Sequence, residues 1–139
     1  MWVQPRERRG EKFVTQVYPS EDCGNSPKNQ FVEKLSIALA TGDLPEVLAR
    51  VTDAVVWKLV GKTTWQGKEA VCQAVEQQAQ PPLRELTILR VTTHGKVGAV
   101  NGTACQQDGT IYEFCHVYEF SNARATHVQS ITSYVIQQA

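Results

Sequence analysis

The chain has 139 residues, of which 42% are hydrophobic and 20% are charged. This composition is typical of one folded globular domain and excludes a wholly disordered chain. Fourteen basic residues balance fourteen acidic ones, so no overall charge draws the protein toward nucleic acid or an anionic membrane. No apolar run approaches the roughly 18 residues that a membrane-spanning helix needs.

The first 25 residues are polar and turn-rich, and the folded domain is predicted to cover residues 26–139. No stretch of this lead-in resembles a secretory signal, so we expect a cytoplasmic protein with free thiols at Cys23, Cys72, Cys105 and Cys115. The cysteines and histidines lack the spacing of a metal site, so no metal is predicted. For residues 22–25, just before a predicted helix, a cap and turn is favoured over an activated thiol.

Three helices are predicted in the first half of the domain. Ser26 has the position of a cap on the first helix, which ends at Gly42. A second, short helix begins after Asp43, a capping residue followed by glutamate three positions later. A strand rich in β-branched residues follows over residues 53–61, and a third helix covers residues 67–80.

The second half of the domain is predicted to form four antiparallel strands, over residues 85–93, 96–106, 110–120 and 127–137. Two-residue turns at His94-Gly95 and Asp108-Gly109 join the first three strands. Helices followed by a run of strands indicate an α+β fold, in which the helices pack on one face of a curved antiparallel sheet.

The two turns predict which side chains share a face of the sheet. They place Asn101 opposite His116 and put Arg90 on the same face, beside the aromatic rings of Phe114 and Tyr118. A mostly aromatic face with a few polar groups is typical of a small-molecule site, so we expect the helices to enclose a pocket there. In the alternative interpretation, Asn101 and His116 satisfy each other in a closed core and Arg90 reaches solvent.

The opposite face is predicted to be flat and built from small residues, namely Gly98, Val100, Gly102 and Val117. Such a face suits packing against another sheet, most simply that of a second subunit.

His116 is the first candidate for chemistry, because the ordinary histidine pKa suits proton transfer near neutrality. Lys58 is a candidate base or anion-binding group if its side chain points inward. Strand alternation allows either Lys58 or its neighbour Trp57 to do so, and the sequence leaves this open. Trp57, Trp65, Phe114 and Tyr118 are more typical of a core, and one or two of them are expected to line the pocket.

Four motifs carry a resemblance to a known family: ALATGDL at 38–44, VTDAVVW at 51–57, GKEAV at 67–71 and FCHVYEF at 114–120. Over residues 29–136 the chain resembles the nuclear transport factor 2-like superfamily, in its SnoaL-like bacterial branch. The resemblance implies a cystatin-like cone, in which a curved sheet wraps a long N-terminal helix around a pocket. It also implies sheet-to-sheet homodimers, and no cofactor is implied.

Two known activities of that superfamily are not expected here. The general-base aspartate of ketosteroid isomerase falls on Lys58, its oxyanion tyrosine on Leu35 and its oxyanion aspartic acid on His116. Lysine and histidine do not replace a carboxylate base and a neutral carboxylic donor. The Asp-Arg-Asp cluster of limonene epoxide hydrolase is missing too, because no aspartate shares the face of Arg90.

The sequence therefore predicts a protein that binds a small apolar or amphipathic molecule, without nucleic-acid or membrane partners. Cofactor-independent isomerase, lyase or hydrolase chemistry would use His116 and Lys58. The predicted ligand contacts are Asn101, Arg90, Trp57, Trp65, Phe114 and Tyr118. The alternative is a non-enzymatic dimeric ligand carrier or protein-interaction module.

Overall fold

The structure is a computed structural model and describes residues 14–21 and 26–139. The predictions for residues 22–25, including Cys23, and for residues 1–13 of the polar lead-in lie outside the described residues. In chain order the elements are β1 (Gln16–Tyr18), α1 (Pro27–Thr41), α2 (Leu44–Arg50), β2 (Val51–Leu59), β3 (Thr63–Gln66), α3 (Lys68–Gln78), β4 (Glu85–His94), β5 (Val97–Cys105), β6 (Ile111–Phe120) and β7 (Val128–Gln137).

Capping interactions confirm the predicted start and end of α1 and the predicted start of α2. The Ser26 hydroxyl accepts a hydrogen bond from the Asn29 backbone N–H at 3.2 Å, which satisfies one of the free donors at the start of α1. Gly42 ends the helix with a positive φ of 80°, a conformation that glycine adopts without strain. The Asp43 carboxylate accepts from the Glu46 N–H and so starts α2.

The strands form one curved, unclosed sheet in the order β1-β4-β5-β6-β7-β2-β3, with the helices against its concave face. The predicted α+β class is confirmed, but the sheet is mixed rather than purely antiparallel. β1 runs parallel to β4, and β2 runs parallel to β7. The short edge strands β1 and β3 are not predicted by the sequence, because three or four residues carry too little periodicity.

The hairpin between β5 and β6 corrects the predicted register. The loop has three residues, 107–109, because the Gln106 backbone N–H donates to the Thr110 carbonyl and Gly109 takes a positive φ of 91°. The loop is one residue longer than predicted, so every side chain of β5 changes face. His116 therefore pairs with Val100, while Asn101 pairs with Cys115 on the outer, convex face.

A bulge in β4 makes a second correction. The pairing with β5 shifts between Ile88 and Arg90, which leaves Leu89 as the extra residue. Ile88 lies beneath the helices as predicted, whereas Arg90 pairs with Asn101 on the outer face and is exposed. Before the bulge, the even-numbered residues of β4 face the helices, and after it the odd-numbered residues do.

The prediction that Gly98, Val100 and Gly102 belong to a flat outer face is wrong. Val100 is fully buried beneath the helices, and a Cβ added to Gly98 would lie 3.1 Å from the Val32 side chain of α1. The apolar core lies between α1 and this concave face, with Leu35, Tyr118 and Phe120 among its largest fully buried side chains.

No helix in the described part of the chain is long and apolar enough to span a membrane. Cys72, Cys105 and Cys115 are free thiols, as predicted. The last two share the outer face, but Cys105 pairs with Ile111 whereas Cys115 pairs with Asn101. They are therefore several residues apart along the strands, beyond the reach of a disulfide.

Candidate functional site

A cavity of about 350 Å³ lies between the concave face of the sheet and the ends of α1 and α3. It reaches solvent beside the exposed residues Lys62 and Gln78. Its walls are mainly apolar, and the lining residues are Leu39, Ala40, Trp57, Leu59, Val60, Lys62, Gln78, Leu83, Leu86, Ala104, Gln106, Tyr112, Phe114, His116, Ser133 and Val135. We refer to this space as the cavity.

A chain of three buried side chains forms the polar floor of the cavity. The Trp57 indole Nε1–H donates to Ser133 Oγ at 2.8 Å, and Ser133 Oγ lies 2.6 Å from His116 Nδ1. Neighbouring strands present these residues: His116 on β6 pairs with Ser133 on β7, and Trp57 on β2 pairs with Ile131. Trp57 is 3% exposed, Ser133 is fully buried at 0%, and His116 is 8% exposed.

His116 is uncharged at neutral pH in this setting. Burial disfavours the imidazolium ion and lowers the pKa of His116 from 6.5 to about 4. Phe114 packs beside the ring, with 5.0 Å between ring centroids. The other ring nitrogen, Nε2, has no hydrogen-bond partner among the described residues and is not one of their fully buried unpaired atoms, so it faces the open cavity.

Lys62 is the one charged side chain among the described residues that line the cavity, and it lies at the mouth. The described lining therefore includes no carboxylate to act as a general base or to position water. In the described part of the chain, no group of three or more His, Cys, Asp or Glu side chains is placed to hold a metal ion.

Three of the predicted site residues come together in the cavity: His116, Trp57 and Phe114. Tyr118 instead lies fully buried in the core, where its hydroxyl is 2.6 Å from Ser36 Oγ. Trp65 packs on Trp57 with 4.9 Å between ring centroids and is not one of the lining residues. It supports the Trp57 ring from behind.

The other three predicted site residues lie on the outer face, away from the cavity. The longer hairpin loop places Asn101 there, and Arg90 follows because it pairs with Asn101, whereas the bulge keeps Ile88 on the concave face. Lys58 is exposed and pairs with Thr132, whereas its neighbour Trp57 is buried and lines the cavity. The alternation left open by the sequence is therefore resolved in favour of Trp57.

Sequence reasoning missed Ser133, the residue that connects Trp57 to His116. The signal that could have found it is the register between β6 and β7. The connection over residues 121–127 has no two-residue turn motif to set that register, so Ser133 was one of several polar residues on a predicted strand. Gln106 and Tyr112 at the mouth were likewise not predicted as site residues.

Comparison with known proteins places this geometry in a family. The model of the SnoaL-like domain matches residues 31–128. None of the curated protein sequences compared with the chain is similar to it.

Solved structures share the fold at low sequence identity. An NTF2-like protein of unknown function from Cytophaga hutchinsonii is 22% identical, with a TM-score of 0.62 over 78% of this chain and 99% of that one. An LEH-like epoxide hydrolase from M. tuberculosis is 20% identical, with a TM-score of 0.63 over 78% and 81%. A ketosteroid isomerase-like protein from Kribbella flavida is 16% identical, with a TM-score of 0.66 over 81% and 79%. Together with the family model, the fold shows that this chain belongs to the SnoaL-like domain family.

Proposed function

We propose that the protein binds a small, uncharged, mainly apolar molecule in the cavity, with a hydrogen bond to His116. The observation that carries this proposal is the Nε2 of a buried histidine, which has no partner among the described residues and faces a mainly apolar cavity. A volume of about 350 Å³ lies within the range of small-molecule sites. Apolar walls supply affinity, and one placed polar group supplies orientation.

The distribution of charge favours an uncharged ligand. A charge moved from water into an apolar cavity needs an opposite charge beside it. The described lining offers Lys62 at the mouth and a histidine whose lowered pKa keeps it neutral. An amphipathic ligand would therefore place its apolar body inside and any anionic end near Lys62.

The same features favour binding over acid/base catalysis. A general base works best with a pKa near the working pH, and the pKa of His116 is about 4. The named neighbours include an epoxide hydrolase and a ketosteroid isomerase-like protein, but the described cavity lining has no carboxylate for such chemistry. His116 therefore enters the proposal as a ligand-binding group, and the exposed Lys58 does not take part.

The test is a thermal-shift screen with matched compounds: cyclic ketones, the hydrocarbons with the same rings, and the corresponding carboxylates. A ligand of the native state at a hundred times its Kd stabilises by about 2.7 kcal/mol. We expect ketones to stabilise the wild type most and to lose part of that effect in His116→Phe. The exposed His127 provides the control, His127→Phe. Absence of stabilisation by all three classes, or equal stabilisation of both variants, would refute the proposal.

We also propose a homodimer through the outer face, redefined by the observed register. Its centre consists of the half-buried residues Ala99, Cys115, Val117 and Thr132. Lys58 on β2 and Arg90 on β4 lie two strands to either side of β6, which carries Glu113 and Glu119. The cationic pair, Lys58 and Arg90, is four strand spacings of about 4.8 Å apart, or about 20 Å. The acidic pair, Glu113 and Glu119, is six residues apart at a rise of about 3.3 Å each, which is also about 20 Å.

This pattern of charges is complementary to itself. The cationic pair lies across the strands, the acidic pair lies along β6, and the two lines cross near the middle of β6. A second copy packed with its strands nearly perpendicular would place each glutamate over a cation, as a two-fold interface requires. The proposed location remains a reducing cytoplasm, which the free thiols support.

Sedimentation velocity at low salt tests the homodimer with charge exchange. We expect Glu113→Lys with Glu119→Lys to give monomers, and Lys58→Glu with Arg90→Glu to do the same. All four changes together should restore the dimer. Glu76→Lys, on the exposed side of α3, serves as control. A monomeric wild type, or a charge-exchanged protein that does not reassociate, would contradict this interface.

A further inference from the structure

We propose that Ser133 is a positioning residue that fixes the His116 ring with its proton on Nε2, so that the cavity selects ligands with a hydrogen-bond acceptor such as a carbonyl oxygen. The ligand class in this inference rests on the proposed function. The orientation of the His116 ring rests on the hydrogen bonds of the polar floor.

The direction of each hydrogen bond follows from counting donors. Indole Nε1–H is a donor only, so Ser133 Oγ must accept from Trp57. If His116 Nδ1–H also donated to Ser133, the serine hydroxyl would need another acceptor, and no other contact of Ser133 Oγ is present among the described residues. The arrangement that satisfies all three groups runs from the Trp57 N–H to Ser133, and from the Ser133 O–H to His116 Nδ1.

A neutral imidazole that accepts at Nδ1 carries its proton on Nε2. Nε2 is the nitrogen that faces the cavity without a described partner. The cavity floor therefore presents a fixed N–H donor in an apolar, buried environment, where a hydrogen bond gains strength. A neutral imidazole can polarise a carbonyl group in this way. A ligand group that can only donate a hydrogen bond would instead face the Nε2–H, which is also a donor.

The arrangement of the strands holds the His116 ring rigidly in this orientation. Trp57, Ser133 and His116 belong to three adjacent strands in the order β2-β7-β6. Trp65 holds the indole from one side and Phe114 lies beside the imidazole. A ring flip would break the contact with Ser133, and a change of tautomer would reverse its direction; either would leave the buried Ser133 O–H without an acceptor, which is unfavourable.

The first experiment needs no ligand. Long-range ¹H–¹⁵N NMR of the protein labelled in histidine distinguishes a protonated from an unprotonated ring nitrogen. We expect wild-type His116 at pH 7.5 to show an unprotonated Nδ1 and a protonated Nε2. Ser133→Ala should lose this single pattern, and Ser133→Thr, which keeps the hydroxyl, should retain it. Ser130→Ala changes a serine on the same strand that contacts Glu119 instead, and should leave the ring unchanged. A proton on wild-type Nδ1, or an unchanged ring in Ser133→Ala, would overturn the inference.

The second experiment measures the ligand class by calorimetry with a cyclic ketone and the matching hydrocarbon. One net hydrogen bond contributes about 1 kcal/mol, which corresponds to about fivefold in Kd. We expect the wild type to prefer the ketone by about this factor and Ser133→Ala to lose the preference. Equal affinity in the wild type would overturn the assigned ligand class. If neither compound binds while the NMR pattern is as expected, the proposed function fails and the role of Ser133 in fixing the ring stands.

Discussion

Acid should destabilise this protein through His116 in a defined pH range. The pKa of its imidazole is about 4 in the folded protein, because burial opposes the charge, and 6.5 is the ordinary value. Between these values the unfolded chain binds a proton that the folded protein does not, so the free energy of unfolding falls as the pH decreases. Since each pKa unit corresponds to about 1.4 kcal/mol, the full loss is about 3.5 kcal/mol, and about 2.5 kcal/mol of it is reached at pH 4.5.

The assay is urea unfolding of the wild type and His116→Gln at pH 7.5 and pH 4.5. Other titrating groups contribute to both proteins, so the quantity to compare is the difference between their pH dependences. We expect the variant to be less stable than the wild type at pH 7.5, because the hydrogen bond with Ser133 changes. Its further loss on acidification should be smaller than that of the wild type by about 2.5 kcal/mol.

Matched controls come from the exposed histidines, His94 and His127. Their glutamine variants should follow the wild type at both pH values, since both side chains are exposed in the folded protein. Parallel pH dependences of the wild type and His116→Gln would refute the reasoning, because they would show that the buried imidazole accepts a proton as readily as one in water.

Two further predictions concern the packing beneath α1. Gly102→Ala should destabilise by about 2 kcal/mol or more, because the new Cβ would lie 2.0 Å from the Thr87 carbonyl oxygen. Gly98→Ala should cost less, because its new Cβ would meet side-chain methyl groups at 3.1 Å rather than backbone at 2.0 Å. Thermal melts of both variants decide the order. Ser36→Ala should cost about 1–3 kcal/mol by leaving the buried Tyr118 hydroxyl unpaired. Adding Tyr118→Phe should then recover stability, and a double variant less stable than Ser36→Ala in urea unfolding would contradict this.

Local signals in the sequence were sufficient for most of the helices and strands. The boundaries of α1 follow from the cap at Ser26 and from Gly42, both of which act within one turn of the helix. The strand pattern of β6 also predicts the correct face, because Phe114, His116 and Tyr118 alternate with smaller or charged residues. These features depend on neighbours in the chain, and so they survive without knowledge of the tertiary structure.

Which residues form the site depends on strand register and strand pairing, which local sequence patterns do not determine. Asp108-Gly109 is compatible with loops of two or three residues, and that one-residue difference decides whether Asn101 or Val100 faces the helices. The floor of the cavity also requires β2 to pair in parallel with β7, across more than 70 residues of chain. No turn fixes that pairing, so the contact of Trp57 with Ser133 emerges from the assembled sheet.

The two edge strands of the sheet bear on how strand-to-strand association with other chains is limited outside the proposed interface. In the described part of the chain the sheet ends in β1, with three residues, and β3, with four. A long edge strand offers a row of unpaired backbone groups to other chains, which promotes aggregation. Here the longer strands β4 and β2 are covered along part of their length by these short partners. These partners shorten the stretch of each longer strand on which fibrillar strand addition could begin, while the mouth of the open cone stays accessible to solvent.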